Sequence, residues 1–138
     1  MKVPNLSELT VGQVVAEKTF EITRDSLVRY AGASGDFNPI HYRDDIAQQV
    51  GLPGVLAHGM LTMGVSISPV VEWLGDAAKV LDYSVRFTKP VLVPANSPAM
   101  LSVSATVGAI EDGKARIDIT TSFEGNNVLG KAQAWVKP

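Results

Sequence analysis

A long apolar segment near the middle of the chain limits the folds that this sequence can adopt. Between His58 and Leu74 the only ionised side chain is Glu72. Large apolar side chains recur there every three or four residues, as on one face of a helix: Met60, Met63, Ile67, Val70 and Leu74. A helix with so little polar surface must be covered on nearly all sides. Pro69 predicts a kink or a break within it, because proline lacks the backbone N–H.

The second half of the chain has the pattern of a sheet. Apolar and polar residues alternate in four segments, as in half-buried strands, at residues 81–87, 101–107, 117–123 and 128–136. Residues 111–114 and 125–127 are predicted turns, since they are rich in Gly, Asn and Asp. Strands that follow one another so closely predict antiparallel pairing.

The first half adds a strand and short helices. Residues 14–21 are predicted to form the first strand, and Thr23 is placed to cap a short helix that runs to about residue 32. Residues 42–50 are predicted to hold another helical turn or two. Together these elements predict the α+β class, with a curved antiparallel sheet wrapped around the apolar helix.

Composition narrows the possible functions. A chain of 138 residues fits one domain, which we expect to cover 1–138. The absence of cysteine excludes disulfides, thiolate catalysis and cysteine-ligated metals. A net charge of −2 offers no basic surface to nucleic acid. Neither a signal-peptide core nor an apolar run of the roughly 20 residues that span a bilayer is present, so we expect a cytoplasmic protein without a membrane partner.

Residues 34–41 read Ser-Gly-Asp-Phe-Asn-Pro-Ile-His and hold the side chains best suited to proton transfer. Asp36 and His41 flank a turn in which Pro39 fixes the backbone and the Asn38 side chain can bond to it. Histidine exchanges protons near neutral pH, and a carboxylate beside it can orient the ring or a shared water. The alternative interpretation is an Asx turn with a solvated aspartate and an incidental histidine.

His58 and Gly59 lie where the apolar helix is predicted to begin. The N-terminus of a helix has unpaired N–H groups and a positive partial charge, and glycine lets a ligand approach the backbone closely. Such a position can stabilise a developing oxyanion. Alternatively, Gly59 only allows a tight turn, and His58 is a core or capping residue.

Two other groups of titratable residues are interpreted without catalysis. Asp44 and Asp45 are adjacent, so their side chains point apart, and a solvated helix face is expected. His41 and His58, the only histidines, are 17 positions apart and match no known pattern of metal ligands, so no metal site is expected.

Three segments resemble one family of enzymes. Residues 30–41, which read Tyr-Ala-Gly-Ala-Ser-Gly-Asp-Phe-Asn-Pro-Ile-His and are followed by Ala47, are similar to the hydratase-2 motif of the MaoC-like hydratases and dehydratases. Residues 57–60 resemble that family's start of the central helix, and residues 85–91 its following strand. The resemblance covers roughly residues 8–137. Within the family, residues 17–19, 57–64 and 73–76 look closest to the catalytic subunit of the mycobacterial-type (3R)-hydroxyacyl-ACP dehydratase.

The resemblance implies a hot-dog fold, in which an antiparallel sheet wraps around a long helix. It also implies a homodimer or a heterodimer with another hot-dog subunit, with substrate entering at the interface. It implies that Asp36 and His41 are the catalytic pair and that the Gly59 N–H binds the thioester carbonyl. The predicted site is completed by four substrate-binding residues, Asn38, His58, Arg86 and Lys89. Of these, Arg86 and Lys89 would contact phosphates, although both are equally consistent with ordinary surface charge.

The implied reaction is the reversible hydration of trans-2-enoyl thioesters to (3R)-3-hydroxyacyl thioesters. It needs no metal or redox cofactor, and the acyl group would be carried on CoA or on the phosphopantetheine of an acyl carrier protein. Two alternatives stay open. Hot-dog proteins include thioesterases, which use a lone carboxylate and lack the Asp-x-Asn-Pro-x-His run. The chain could also be a non-catalytic subunit of a heterodimer, although such a subunit would be expected to lack the Asp36–His41 pair.

Overall fold

A computed structural model describes residues 2–138 of the chain. Six strands form one sheet in the order β1-β3-β4-β6-β2, all neighbours are antiparallel, and the short β5 pairs with β4. Three α-helices precede β2 in the sequence. The elements are β1 Val14–Ile22, α1 Arg24–Ser34, α2 Asp44–Gln49, α3 Gly59–Leu74, β2 Val80–Phe87, β3 Ala99–Glu111, β4 Lys114–Phe123, β5 Asn126–Asn127 and β6 Leu129–Val136.

The sheet packs against α3 through β1, β2, β3 and β4, which confirms the predicted α+β class and the sheet wrapped around a helix. Its inner face carries the small and branched side chains predicted from the alternation, which are all buried: Leu101, Val103, Ala105, Val107, Ile117, Ile119, Ala132, Ala134 and Val136. The alanines of β6 leave space for close packing of neighbouring side chains. The short chain thus buries a continuous core on one side of one sheet.

Of the two effects predicted for Pro69, a break in α3 does not occur, and a kink stays a prediction. The helix continues through Pro69 to Leu74 as a single element, so a break is wrong. Proline cannot donate to the carbonyl of Val65, four residues earlier. The Ser68 hydroxyl donates to that carbonyl instead, at 2.7 Å, so the acceptor still has a donor. The side chain beside the proline therefore replaces the missing backbone hydrogen bond.

The buried face of α3 also differs from the predicted one. Its fully buried residues are Thr62, Ser66, Pro69, Val70 and Leu74, whereas Met60 is 58% exposed. Hydrogen bonding explains how polar residues occupy this face. Ser66 lies within 2.7 Å of both the Thr62 carbonyl and the Thr121 hydroxyl of β4. The hydroxyls are satisfied in the core, and the large methionine is left outside.

Strand β2 is an edge of the sheet, and its apolar residues are not all covered. Leu81 and Phe87 are 54% and 56% exposed, although the alternation predicted that they share a face with Tyr83 and Val85. Tyr83 fixes the strand to α3, because its hydroxyl donates to the Met63 carbonyl at 2.7 Å. Burial of that hydroxyl raises the pKa of Tyr83 to about 12.

The elements of the first half follow the sequence signals closely. Thr23 caps α1 in a reciprocal capping box with Ser26, as its position predicted. The helix runs to Ser34, slightly beyond the predicted end, and stops at Gly35, whose φ of 76° is in the left-handed region. Within residues 2–138, no helix combines the length and the hydrophobicity that a membrane crossing would require.

Candidate active site

The loop after α1 is held in shape by three short-range hydrogen bonds. The Asp36 N–H donates to the Ser34 hydroxyl at 3.1 Å, and the Asn38 N–H donates to Asp36 Oδ1, also at 3.1 Å. Asn38 Oδ1 in turn accepts from the Ile40 N–H at 3.2 Å, which caps a short 3₁₀ turn, Pro39–His41. Asp36 thus keeps Oδ1 in the loop and has Oδ2 free to face His41.

His41 is largely buried, and its tautomer follows from its surroundings. Its Nδ1 lies 2.7 Å from the carbonyl oxygen of Leu56. A carbonyl can only accept, so Nδ1 carries the hydrogen, and in the neutral ring Nε2 has a free lone pair. That Nε2 lies 3.9 Å from Asp36 Oδ2, too far for a direct hydrogen bond. The pair can instead share one water molecule, for which Nε2 is a base and Oδ2 is an acceptor.

His58 lies against both residues of the pair. Its ring stacks on the His41 ring with centroids 3.8 Å apart and an angle of 21° between the planes, and the edge of Tyr30 meets it at 4.8 Å. His58 Nε2 lies 3.2 Å from the Asp36 carbonyl oxygen, so it is the nitrogen that donates. Burial lowers the pKa of His58 and favours the neutral ring.

Gly59 is the first residue of α3 and lies at the open end of the helix. The first backbone hydrogen bonds of the helix, from Leu61 and Thr62, go to the His58 carbonyl, so the Gly59 N–H has no acceptor within the helix. A Cβ at this position would lie 3.1 Å from the ring of Phe87, so the ring would have to shift to accept any other residue. The exposed Gly59 therefore combines a free N–H with a close contact to an aromatic ring of β2.

A cavity of about 360 Å³ lies beside His41 and the start of α3. His41 and Gly59 both line it, and Thr62 and Val91 lie among its walls. The complete lining is His41, Leu56, Ala57, Gly59, Thr62, Phe87, Thr88, Lys89, Pro90, Val91, Val128 and Leu129. A mainly apolar cavity with a base and a free N–H suits an acyl chain that ends in a polar reactive group.

The fold places the remaining predicted site residues in different surroundings. Lys89 lines the cavity, and its Nζ donates to Asn126 Oδ1 at 3.1 Å. Arg86 is exposed on β2 and is not a lining residue. Asn38 uses its side-chain oxygen in the loop, and His58 is only 1% exposed behind His41. Direct contact of Asn38, His58, Arg86 or Lys89 with a substrate stays a prediction.

Asp44 is exposed, as expected, but its carboxylate also makes specific hydrogen bonds. Its carboxylate accepts from the Val55 N–H at 3.1 Å and from Arg24 at 2.9 Å, while Arg24 also donates to the Val93 carbonyl at 2.7 Å. Arg24 lowers the pKa of Asp44, because its guanidinium stabilises the carboxylate. This network joins α1, α2 and the segment before α3. Asp45 points away and pairs with Arg43, as adjacent helical positions predict.

The reason given against a metal site was wrong, because the fold brings the two histidines together. One ligand atom each of Asp36, His41 and His58 lies within 4.8 Å of the others. In-plane lone pairs of two rings stacked at 21° lie in nearly parallel planes, however, so the rings cannot easily converge on one ion. One nitrogen of each ring already lies against a backbone carbonyl. That this site holds no metal stays a prediction.

Two contributors to the site were not anticipated from the sequence. The Leu56 carbonyl sets the His41 tautomer, and a backbone group carries no signal in side-chain patterns. Thr62 lines the cavity one turn after Gly59. Residues three apart share a helix face, so that spacing could have identified Thr62.

Known proteins are similar to this chain in sequence and in fold. Residues 7–127 match the family model described as MaoC like domain. Over 76 residues the chain is 43% identical to 3-hydroxyacyl-thioester dehydratase X of Mycobacterium tuberculosis, which covers 55% of this chain and 26% of that protein. A solved MaoC-like dehydratase superposes with a TM-score of 0.94 at 33% identity, covering 98% of this chain and 42% of that one.

A third relative is close to this chain in length. R-hydratase PhaJ1 from Pseudomonas aeruginosa superposes with a TM-score of 0.79 at 29% identity, covering 96% of this chain and 83% of that one. By contrast, the matched part of this chain spans about a quarter of the length of the M. tuberculosis dehydratase. The match of the family model over most of the chain and the shared sheet wrapped around α3 lead to one conclusion: the chain belongs to the family of MaoC-like domains, with the hot-dog fold that its sequence predicted.

Proposed function

We propose that the protein catalyses the reversible addition of water to trans-2-enoyl thioesters to give (3R)-3-hydroxyacyl thioesters. One observation carries the proposal. The free lone pair of His41 Nε2 and the free Oδ2 of Asp36 face each other across 3.9 Å, beside a cavity that the Gly59 backbone also lines. The relatives named as a dehydratase and an R-hydratase support the same reaction class.

The enoyl thioester enters the cavity with its carbonyl oxygen at the Gly59 N–H. A water molecule between the pair donates one hydrogen bond to Asp36 Oδ2 and one to His41 Nε2. Nε2 takes a proton as the water oxygen bonds to Cβ, and the electrons of the double bond shift towards the thioester oxygen. The Gly59 N–H and the positive end of α3 stabilise that negative charge. Nε2 then returns the proton to Cα on the same face, so the pair ends unchanged.

Carrier and partner form the finer part of the proposal. The acyl group is carried on CoA or on the phosphopantetheine of an acyl carrier protein, with Lys89 at the cavity as the nearest candidate for a phosphate contact. A second hot-dog subunit, either a copy or a related chain, covers the apolar surface beside the cavity. The exposure of Met60 and Phe87, 58% and 56%, supports such a partner. Light scattering of the purified chain measures its oligomeric state directly.

The test is a product assay with the purified chain and trans-2-butenoyl-CoA. We expect loss of the enoyl absorbance and formation of the (3R)-hydroxy product, resolved by chiral chromatography. An (S)-product would contradict the assigned face of attack. Release of free CoA thiol without a hydroxy product would indicate the thioesterase alternative. A chain inactive at all concentrations alone but active with a second hot-dog subunit would assign it to a heterodimer.

A further inference from the structure

His58 contacts both residues of the proposed catalytic pair, although the mechanism gives it no proton to transfer. Its Nε2 lies 3.2 Å from the Asp36 carbonyl, and its ring covers the face of His41 at 3.8 Å. We propose that His58 is a positioning residue that fixes the distance and direction between Asp36 Oδ2 and His41 Nε2. This inference rests on the proposed hydration, and its tests separate the two.

The first contact fixes the backbone of Asp36. The other hydrogen bonds of that residue, to the Ser34 hydroxyl and from the Asn38 N–H, join positions two residues away in either direction, so they shape the loop without attaching it to the rest of the molecule. His58 is 22 positions away and belongs to the N-terminal end of α3. Within the described chain, the hydrogen bond from His58 is therefore the one that ties Asp36 to α3, the helix that also supplies Gly59.

The second contact fixes the plane of the His41 ring. The hydrogen bond from Nδ1 to the Leu56 carbonyl holds one edge of the ring but leaves rotation about that line. Stacking on His58 with an interplanar angle of 21° removes this freedom. The two contacts together set where the lone pair of Nε2 points. A small error in that direction is costly, because proton transfer needs the water at hydrogen-bonding distance.

The surroundings of His58 suit a neutral ring. Asp36 presents its carbonyl oxygen, His41 presents its face, and Tyr30 presents its edge. His58 Nδ1 is buried and has no partner within residues 2–138, which fits a neutral acceptor and not a second N–H. A neutral ring also places no positive charge against His41 when Nε2 takes its proton from water.

Two variants separate the two contacts. His58→Gln keeps an amide that can donate to the Asp36 carbonyl but removes the stacked ring, and His58→Phe keeps the ring but removes the donor. We expect each to lower kcat about tenfold with little change in KM, and His58→Ala, which removes both contacts, to lower kcat about 100-fold. Val70→Ala is the matched control, since it removes buried volume from the same helix away from the site and should leave kcat unchanged.

The proposal is overturned if folded His58→Ala keeps kcat within about twofold of wild type, if the loss falls on KM alone, or if Val70→Ala at equal loss of stability lowers kcat equally. An inactive wild-type chain would instead count against the proposed function. Ring ¹⁵N shifts of the wild-type protein give a test that needs neither activity nor a variant. We expect neutral His58 with hydrogen on Nε2 and neutral His41 with hydrogen on Nδ1, and either opposite tautomer would overturn the positioning role.

Discussion

Asp36 Oδ2 and His41 Nε2 face each other at 3.9 Å without a hydrogen bond between them. Each of the two residues is instead hydrogen-bonded elsewhere, Asp36 through Oδ1 to the Asn38 N–H and His41 through Nδ1 to the Leu56 carbonyl. The loop and the segment before α3 therefore keep apart two groups that would otherwise pair directly. The separation leaves both groups available to one water molecule, which is what the proposed hydration requires.

Removing either member of the pair should nearly abolish hydration. Asp36→Asn loses the charge, and His41→Asn keeps an amide that can donate to the Leu56 carbonyl but has no base at the position of Nε2. We expect each to lower kcat by about 100- to 10,000-fold. Steady-state kinetics with trans-2-butenoyl-CoA measures the loss. Asp112→Asn, the same change in the distant β3–β4 turn, is the control, and near wild-type turnover of either site variant would disprove the assignment.

Adding a methyl group at Gly59 should impair the site through Phe87. The new Cβ would lie 3.1 Å from the Phe87 ring, so the ring must move within the cavity wall. We expect Gly59→Ala to lower kcat/KM about tenfold. Because the conflict is with one side chain, combining it with Phe87→Ala should cost less than the sum of the single changes. Additive losses in the double-variant cycle would show that Gly59 is needed for another reason.

The buried hydroxyl pair predicts unequal effects on stability. Ser66 has one hydrogen, and the Thr62 carbonyl can only accept, so Ser66 donates to that carbonyl and Thr121 donates to Ser66. Ser66→Ala leaves the Thr121 hydroxyl without an acceptor and should lower the free energy of unfolding by about 2 kcal/mol. Thr121→Val leaves Ser66 bonded to Thr62 and should cost less than about 1 kcal/mol. Urea denaturation of both variants compares them, and the reverse order would contradict the assigned donors.

The Ser68 hydroxyl should stabilise α3 only while Pro69 is present. Ser68→Ala leaves the Val65 carbonyl without its 2.7 Å donor and should lower the free energy of unfolding by about 0.5–1 kcal/mol. In a Pro69→Ala background the backbone N–H can bond to Val65, so the same change should cost almost nothing. Thermal or urea unfolding of the four proteins gives the coupling energy, and a value near zero would refute the compensation.

His58 should make stability depend on pH in one direction. Burial lowers its pKa from the ordinary value of 6.5, so below about pH 6.5 the unfolded chain takes up a proton that the folded chain does not. Protonation then favours the unfolded state. The contribution of the neutral, buried His58 to stability is therefore lost as the pH falls from about 6.5 through the lower pKa of the folded state. Above pH 6.5 it is complete.

A comparison of wild type with His58→Phe isolates this effect. Urea denaturation between about pH 5 and 7.5 should show the wild type losing more stability on acidification than the variant does, because only the wild type has His58. A difference between the two proteins that stays constant across the range would mean that the pKa of His58 is the same in both states.

Much of the fold could be predicted because the sequence repeats simple signals. Alternation placed the buried residues of β3 and β4 correctly, and Thr23 marked the start of α1. The face of α3 was predicted correctly at Val70 and Leu74 but not in its first turns, because spacing cannot tell that Thr62 and Ser66 have hydrogen-bond partners that make their burial acceptable. Hydrophobicity alone favoured Met60, which remains outside.

The candidate site, like the fold, could be predicted only in part from the sequence. The predicted partners Asp36 and His41 lie in one loop, and the structure brings them to 3.9 Å, whereas the contact of His41 with His58 joins positions 17 apart and depends on how the chain enters α3. The tautomer of His41 depends on the Leu56 carbonyl, and every residue has such a group. These contributions arise from tertiary packing, so no motif could have indicated them.

The contact between Ser66 and Thr121 also determines which strand register is compatible with the core. Alternation rejects a shift of β4 by one residue, because Ile117 and Ile119 would then turn outward. A shift by two residues keeps the isoleucines inside and is invisible to that pattern. It would, however, set Ile119 or Phe123 against the Ser66 hydroxyl in place of Thr121. One hydrogen bond in the core thus distinguishes two alignments of the sheet that hydrophobicity treats as equivalent.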